Sequence, residues 1–269
     1  LHFDVILETI NKCLEFNIPI VGVFDNTFHN TIPKENYLYG IPYEYYLKYG
    51  IRKYGYHGLS YSSIVAKYGK ENMNSVICHL GGGSSICNIK DSKSFDTTMG
   101  FSPNSGLMMS SRTGDIDSSI IFYLYELGYQ VEDIRKILNN ESGYQGILKI
   151  SDAKKIVDES LAGNEQAILL RKMINLDFKK HLLGMMCINK PNEIIITGGM
   201  GCKNKEQREM LFSGLEEFGI EIDSYKNNAI WDTDGIISTH NSLPVYVMVD
   251  DEEKEINKEC NKVLRKCYK

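Results

Sequence analysis

Apolar runs that break at glycines organise this chain of 269 residues. Residues 76–80 and 85–89 are two such runs on either side of Gly81, Gly82 and Gly83. They predict two strands joined by a tight turn. Ile194-Ile-Ile-Thr-Gly-Gly-Met-Gly201 is a continuous apolar run ending in glycines, the pattern of a buried parallel strand, and a helix is predicted after it over 205–218. Residues 4–16 carry apolar side chains at 5, 6, 9/10 and 13/14, a helical period with Asp4 as N-cap. Residues 20–24 read as a buried strand. Tyr43–Tyr49 and 60–68 read as short helices, and Asp91-Ser-Lys as a turn between strands. Helices are predicted over 118–127 and 131–138, separated by Gly128, and over 151–161 behind a Ser-Asp cap. Glu165–Ile188 is long, apolar on one side, and central. A strand at Glu193–Thr197 and two more near 236–239 and 245–249 precede a charged helix, Glu252–Cys267. Strands alternating with helices predict an α/β fold.

Some of these breaks carry candidate chemistry. A turn of bare glycines lets a ligand approach the backbone closely, and its N–H groups can converge on an anion such as phosphate. His79, just before the turn, offers a cation there. An ordinary hairpin explains the three glycines as well. Met108-Met-Ser-Ser-Arg-Thr-Gly-Asp-Ile-Asp117 sets Arg112 among small residues. Its planar fork suits phosphate or carboxylate. The glycines after residue 197 sit where ligands of open α/β sheets bind, beyond the carboxyl ends of strands.

Composition narrows the function. At 42% hydrophobic the chain can bury a substantial core. A net charge of −5 and a pI near 5.8 argue against a nucleic-acid partner. No uninterrupted apolar stretch reaches transmembrane length, and no signal peptide is evident. Seven scattered cysteines, an odd number without a Cys-x-x-Cys pair, fit reduced thiols in a cytoplasmic setting better than disulfides or zinc.

Seven blocks in order carry a resemblance. They are Val23-Phe-Asp-Asn-Thr-Phe-His29, Ile41-Pro-Tyr-Glu-Tyr-Tyr46, Tyr54-Gly-Tyr-His-Gly-Leu-Ser60, Cys78-His-Leu-Gly-Gly-Gly-Ser84, Phe95-Asp-Thr-Thr-Met-Gly-Phe101, Met108 to Asp117, and Ile196-Thr-Gly-Gly-Met-Gly201. Together they resemble the acetate kinase family, within the acetate and sugar kinase, heat-shock-protein ATPase and actin superfamily. The resemblance implies ribonuclease H-like lobes: a complete second lobe over 27–249, and a remnant of the first over 1–26 and 250–269. Family members carry a further N-terminal segment with no counterpart here, so the sequence reads as part of a longer protein.

The resemblance also implies roles. ATP would pass its γ-phosphoryl group to acetate, with Mg²⁺ or Mn²⁺, in a homodimer. A carboxylate acceptor is already ionised at neutral pH. No base is needed, and positioning and cations must carry the rate. Arg112 would grip the transferring group, and His57 and His79 would donate to its oxygens. Asp25 would contact the metal's water shell or orient a cation. Glu252 would bind the metal. His79, Gly81, Gly82, Gly83, Asp152, Ala153, Lys154, Gly199, Met200, Gly201, Cys202 and Lys203 would hold the nucleotide. Leu1 and Pro103, with Arg112, would hold the acyl group.

Four positions depart from the family pattern: Gly82 replaces Asn, Cys202-Lys203 replaces Glu-Asn, Ala153-Lys154 replaces Met-Arg, and Asp251 replaces Asn. Three of them fall on the donor side. Pyrophosphate as donor, propionate as acceptor, and a non-catalytic nucleotide-binding or dimerising module are therefore the alternatives.

Overall fold

A computed structural model describes residues 3–16 and 18–267. It holds one six-stranded mixed sheet in the order β3-β2-β1-β4-β6-β5, with helices against it. In chain order, α1 (Phe3–Leu14), α2 (Lys34–Tyr37), α3 (Tyr43–Tyr49) and α4 (Gly58–Tyr68) come first. Strands β1 (Ser75–Leu80), β2 (Ser84–Lys90) and β3 (Lys93–Thr97) follow, then α5 (Ser119–Glu126), α6 (Val131–Asn140), α7 (Gly143–Leu148), α8 (Ala153–Leu161) and α9 (Glu165–Ile188). After β4 (Glu193–Thr197) come α10 (Gly198–Lys203), α11 (Lys205–Phe212) and α12 (Ser224–Ala229). The last elements are β5 (Gly235–Ile236), β6 (Val245–Val247) and α13 (Glu252–Cys267).

The hairpin of β1 and β2 turns on the three glycines, pairing His79 with Ser85 and Leu80 with Ser84. Asp91 and Ser92, both at positive φ, make the two-residue turn into β3, a geometry that matches strand twist. Strands β1 and β4 run parallel, with His79 beside Thr197. The glycine hairpin and the glycines after β4 therefore open on the same edge. Period two decides the packing. Val76, Cys78, Leu80, Ile194 and Ile196 enter the larger core with Phe178 and Leu182 of α9. Ile77 and Ile195 point the other way, to Tyr61 and Ile64 of α4. Both faces of the sheet are covered, which is why these strands read as continuous apolar runs. Three antiparallel strands extended by parallel ones and flanked by helices are the α/β, ribonuclease H-like arrangement that the resemblance implied.

Three predicted elements differ. No strand forms over 18–24, where Ile20 is 42% and Phe24 69% exposed. A strand needs a ladder partner, and none lies beside this segment among the described residues. The helix predicted over 205–218 stops at Phe212. Gly214 is at positive φ, and a separate 3₁₀ turn covers Glu216–Phe218. Asp4 lies inside α1 rather than capping it. The glycines after β4 open a helix. Gly198 needs to be glycine, since its φ is +81° and a Cβ would meet the Leu80 carbonyl at 2.6 Å. No helix among the described residues is long and apolar enough to cross a membrane.

Candidate active site

The glycine hairpin is ringed by three side chains from three parts of the chain. A Cβ on Gly83 would stand 3.2 Å from Arg112 Nη1 and 3.3 Å from His57 Nε2. One on Gly81 would stand 3.7 Å from His79 Nε2. His57 and His79 stack at 4.1 Å between ring centroids, 21° apart. Arg112 Nη1 donates to the Pro103 carbonyl at 3.1 Å and approaches Met109 Sδ at 3.9 Å. Pro103 thus lies beside the arginine and steadies it. Leu1 lies outside the described residues.

Asp25 sets the first histidine. Its Oδ2 accepts the His57 N–H at 2.6 Å, and its Oδ1 accepts the Leu59 N–H at 3.1 Å. This carboxylate caps α4 from outside the helix, where backbone donors are unpaired. His57 takes a left-handed conformation, φ 58°, uncommon for a residue with a side chain. Both Asp25 oxygens are thus engaged by backbone N–H groups at the start of α4. His57 is held by a relay. Buried Tyr61 and Ser85 share a hydrogen bond, and Ser85 Oγ meets His57 Nδ1 at 2.8 Å. His57 Nε2 faces Gly83. Burial first, then repulsion from His79 and Arg112, holds His57 well below its ordinary range. The ring is therefore neutral at neutral pH.

His79 is held differently. Ser60 Oγ donates to Asp250, so His79 Nδ1 must donate to Ser60, at 2.8 Å. A neutral His79 therefore presents a bare lone pair at Nε2, and donates there only when protonated. Burial lowers it, while Asp250 and Asp25 oppose that shift. Asp250, Glu252 and His79 place ligand atoms within 4.8 Å of one another. Burial first, then Asp250 and Asp25, raises Glu252, a crowding that a divalent cation relieves.

Beyond the hairpin opens a cleft of about 630 Å³. Gly81, Gly82, Asp152, Ala153, Lys154, Gly199, Met200 and Lys203 line it. Gly201 and Cys202 do not: both are buried behind the wall, where Gly201 packs against Ile196 and both carbonyls accept from Arg208. Asp152 also caps α8 through the Lys155 N–H at 3.0 Å. Trp231, 66% exposed, stands on the rim. Sequence reasoning passed over Trp231, Ser60, Ser85 and Asp250. Two of these could have been found: Trp231 is the chain's one tryptophan, and Asp250 opens its acidic run. His29 is structural, buried between Ser94 Oγ at 2.7 Å and the Tyr56 carbonyl at 2.9 Å.

The Acetokinase family model matches residues 1–258. This chain belongs to the acetokinase family. Acetate kinase 1 of Vibrio parahaemolyticus is 39% identical over 244 residues, covering 87% of this chain and 61% of that one. The crystal structure of Porphyromonas gingivalis acetate kinase superposes with a TM-score of 0.85 at 32% identity, over 90% of this chain and 63% of that one. A propionate kinase structure from Francisella tularensis gives 0.87 at 35% identity, over 93% and 66%. This acetokinase-family chain thus spans less than two thirds of the length of these relatives, and it shares their actin-like ATPase fold.

Proposed function

We propose that the full-length protein transfers the γ-phosphoryl group of ATP directly to acetate, giving acetyl phosphate and ADP. One observation carries this: Arg112, His57 and His79 converge on bare glycine backbone, with a nucleotide-sized cleft on one side. Arg112 grips the transferring group and offsets its charge as it moves. In this reading Ser85 donates to His57 Nδ1, the proton sits on Nε2, and His57 donates from there. Glycine N–H groups at the hairpin and α10 cradle the donor phosphates. Pro103, beside Arg112, bounds the acyl group. The acceptor carboxylate needs no deprotonation, so no base is assigned.

Mg²⁺, or Mn²⁺, suits Asp250 and Glu252, hard oxygen donors that leave room for water ligands. The ion supplies neutralising charge for the donor phosphates. His79 Nδ1 is engaged by Ser60 and its Nε2 is turned to the glycine hairpin, so this reading leaves it outside the set. A cleft of about 630 Å³ fits a nucleoside triphosphate and is far larger than pyrophosphate needs. The test is hydroxamate trapping of acyl phosphate by full-length protein. Acetate with ATP is expected to react at least about tenfold faster than acetate with pyrophosphate, or than propionate with ATP, a margin of one contact's energy. No acyl phosphate from any donor defeats the proposal.

Residues 27–249 form one lobe in this reading, and 1–26 with 250–269 belong to another. Exposed Ile6, Leu7, Ile10 and Leu14 on α1, with Ile256 and Val263 on α13, are what the rest of that lobe would cover. The free cysteines suit the reducing cytoplasm. We assign homodimer formation to α5, whose Ile120, Ile121, Phe122, Tyr123 and Tyr125 are all exposed. Phe122→Asp is expected to halve the mass seen by light scattering; an unchanged mass removes α5 from the interface.

A further inference from the structure

We propose that His181 of α9 is a positioning residue for Arg112, clamping together the two carboxylates that hold the arginine's loop. The inference rests on the role given to Arg112 above. The loop closes on itself. The Asp115 N–H donates to the Gly106 carbonyl at 2.8 Å, and the Gly106 N–H donates back to Asp115 Oδ1 at 2.8 Å. Within it the Met109 N–H donates to the Arg112 carbonyl at 3.1 Å, so Arg112 rides on a turn of fixed shape. Helix α9 grips the loop once directly: Asp177 Oδ2 accepts the Met108 N–H at 2.8 Å. His181 joins the two grips. Its Nε2 lies 3.4 Å from Asp115 Oδ2. Its Nδ1 lies 2.9 Å from the Asp177 carbonyl and 3.4 Å from Asp177 Oδ1. Both ring nitrogens face acceptors, which only an imidazolium can satisfy.

Burial opposes that charge, but the hydrogen bonds that His181 donates to Asp115 and Asp177 outweigh it and raise His181 to about 10. The other groups facing the cluster are Lys53 and Tyr39, near Asp115, and Tyr144, near Asp177. A histidine raised in the fold stabilises fully below its unfolded value of about 6.5 and loses that contribution as pH climbs through its folded value. The clamp is therefore shut at neutral pH and opens in the alkaline range. The Asp115 end is exposed to solvent, so screening keeps the effect moderate.

Inorganic phosphate, mostly the dianion at the lower pH and wholly so at the higher, serves as the probe; its own ionisation would favour tighter binding at the higher pH, opposite to the expected change. Its affinity for full-length protein is measured by calorimetry at about pH 7.5 and about pH 10.5, either side of the clamp's opening, with Arg112→Ala as the control for site occupancy. The parent protein is expected to lose about fivefold in affinity at the higher pH, a screened ion pair's worth. His181→Gln is expected to bind about fivefold more weakly than the parent at about pH 7.5 and to lose little more at about pH 10.5, where the two converge, and to lower kcat at neutral pH by a similar factor with little change in acetate KM. His181→Lys keeps a cation between the carboxylates at neutral pH, so it is expected to stay within about twofold of the parent at about pH 7.5. A His181→Gln protein with parental affinity and parental pH dependence overturns the proposal, as does a His181→Lys no better than His181→Gln at the lower pH. Should His181→Gln fail to fold, the parent pH series and His181→Lys still decide. Absence of acyl phosphate in the parent defeats the kinase reading alone, because phosphate affinity judges the clamp separately.

Discussion

Arg112→Ala is expected to lower kcat by about 10³- to 10⁵-fold, the range for an arginine acting on a transferring phosphoryl group. The acetate KM should change far less, because the lost interaction matters most when charge is spread over the moving group. The geometry supports a large effect. The guanidinium is partly buried and fixed by the Pro103 carbonyl. Among the described hydrogen bonds only Nη1 is engaged, which leaves donors of the fork for a ligand. Neutral His57 supplies a dipole rather than a charge. Arg112→Lys restores a cation without the fork and should recover part of the loss. Steady-state hydroxamate assays on full-length protein measure both. A rate near that of the parent would remove Arg112 from the chemistry.

Arg208→Met is expected to destabilise the fold by roughly 4 kcal/mol, lowering Tm by about 10 °C. Arg208 is fully buried. Its Nε donates to Asn227 Oδ1 at 2.7 Å. Its Nη1 donates to the Gly201 and Cys202 carbonyls at 2.8 and 3.1 Å. Its Nη2 donates to the Asn227 and Ile230 carbonyls at 3.0 Å each. Methionine fills much of the volume but leaves five acceptors without a donor in a region closed to water, and each costs on the order of 1 kcal/mol or more. The same carbonyls belong to α10 and to the segment before Trp231, two walls of the cleft. Nucleotide KM should rise along with the loss of stability. Thermal melts followed by circular dichroism provide the check; a midpoint within about 2 °C of the parent, less than one kcal/mol for a chain this size, would mean those carbonyls find other partners.

Much of the fold was legible because its signals are local. Residues 76–80 and 193–197 are strands buried on both faces, and a continuous apolar run is what such burial requires. Helix α9 shows the 3.6 period over its length, with Ala167, Leu170, Ile174, Phe178, Leu182 and Met185 buried. The glycine hairpin and Arg112 were candidates from residue type alone, and the fold brings them together. Residues 20–24 have the same apolar look as a strand, but ladder bonds come from elsewhere in the chain. The break at Gly214 was missed because the apolar spacing continues across it.

Amino-acid order by itself determined the strands, the long helix, the glycine turns and the residues able to meet a phosphate, since periodicity and backbone freedom act over a few residues. Tertiary structure alone decided the protonation pattern. Ser60 meets Asp250 across 190 positions and His181 meets Asp115 across 66, while Arg208 gathers carbonyls from two separate segments. Burial and hydrogen-bond partners set a side chain's charge and direction, and neither exists until distant parts of the chain have packed.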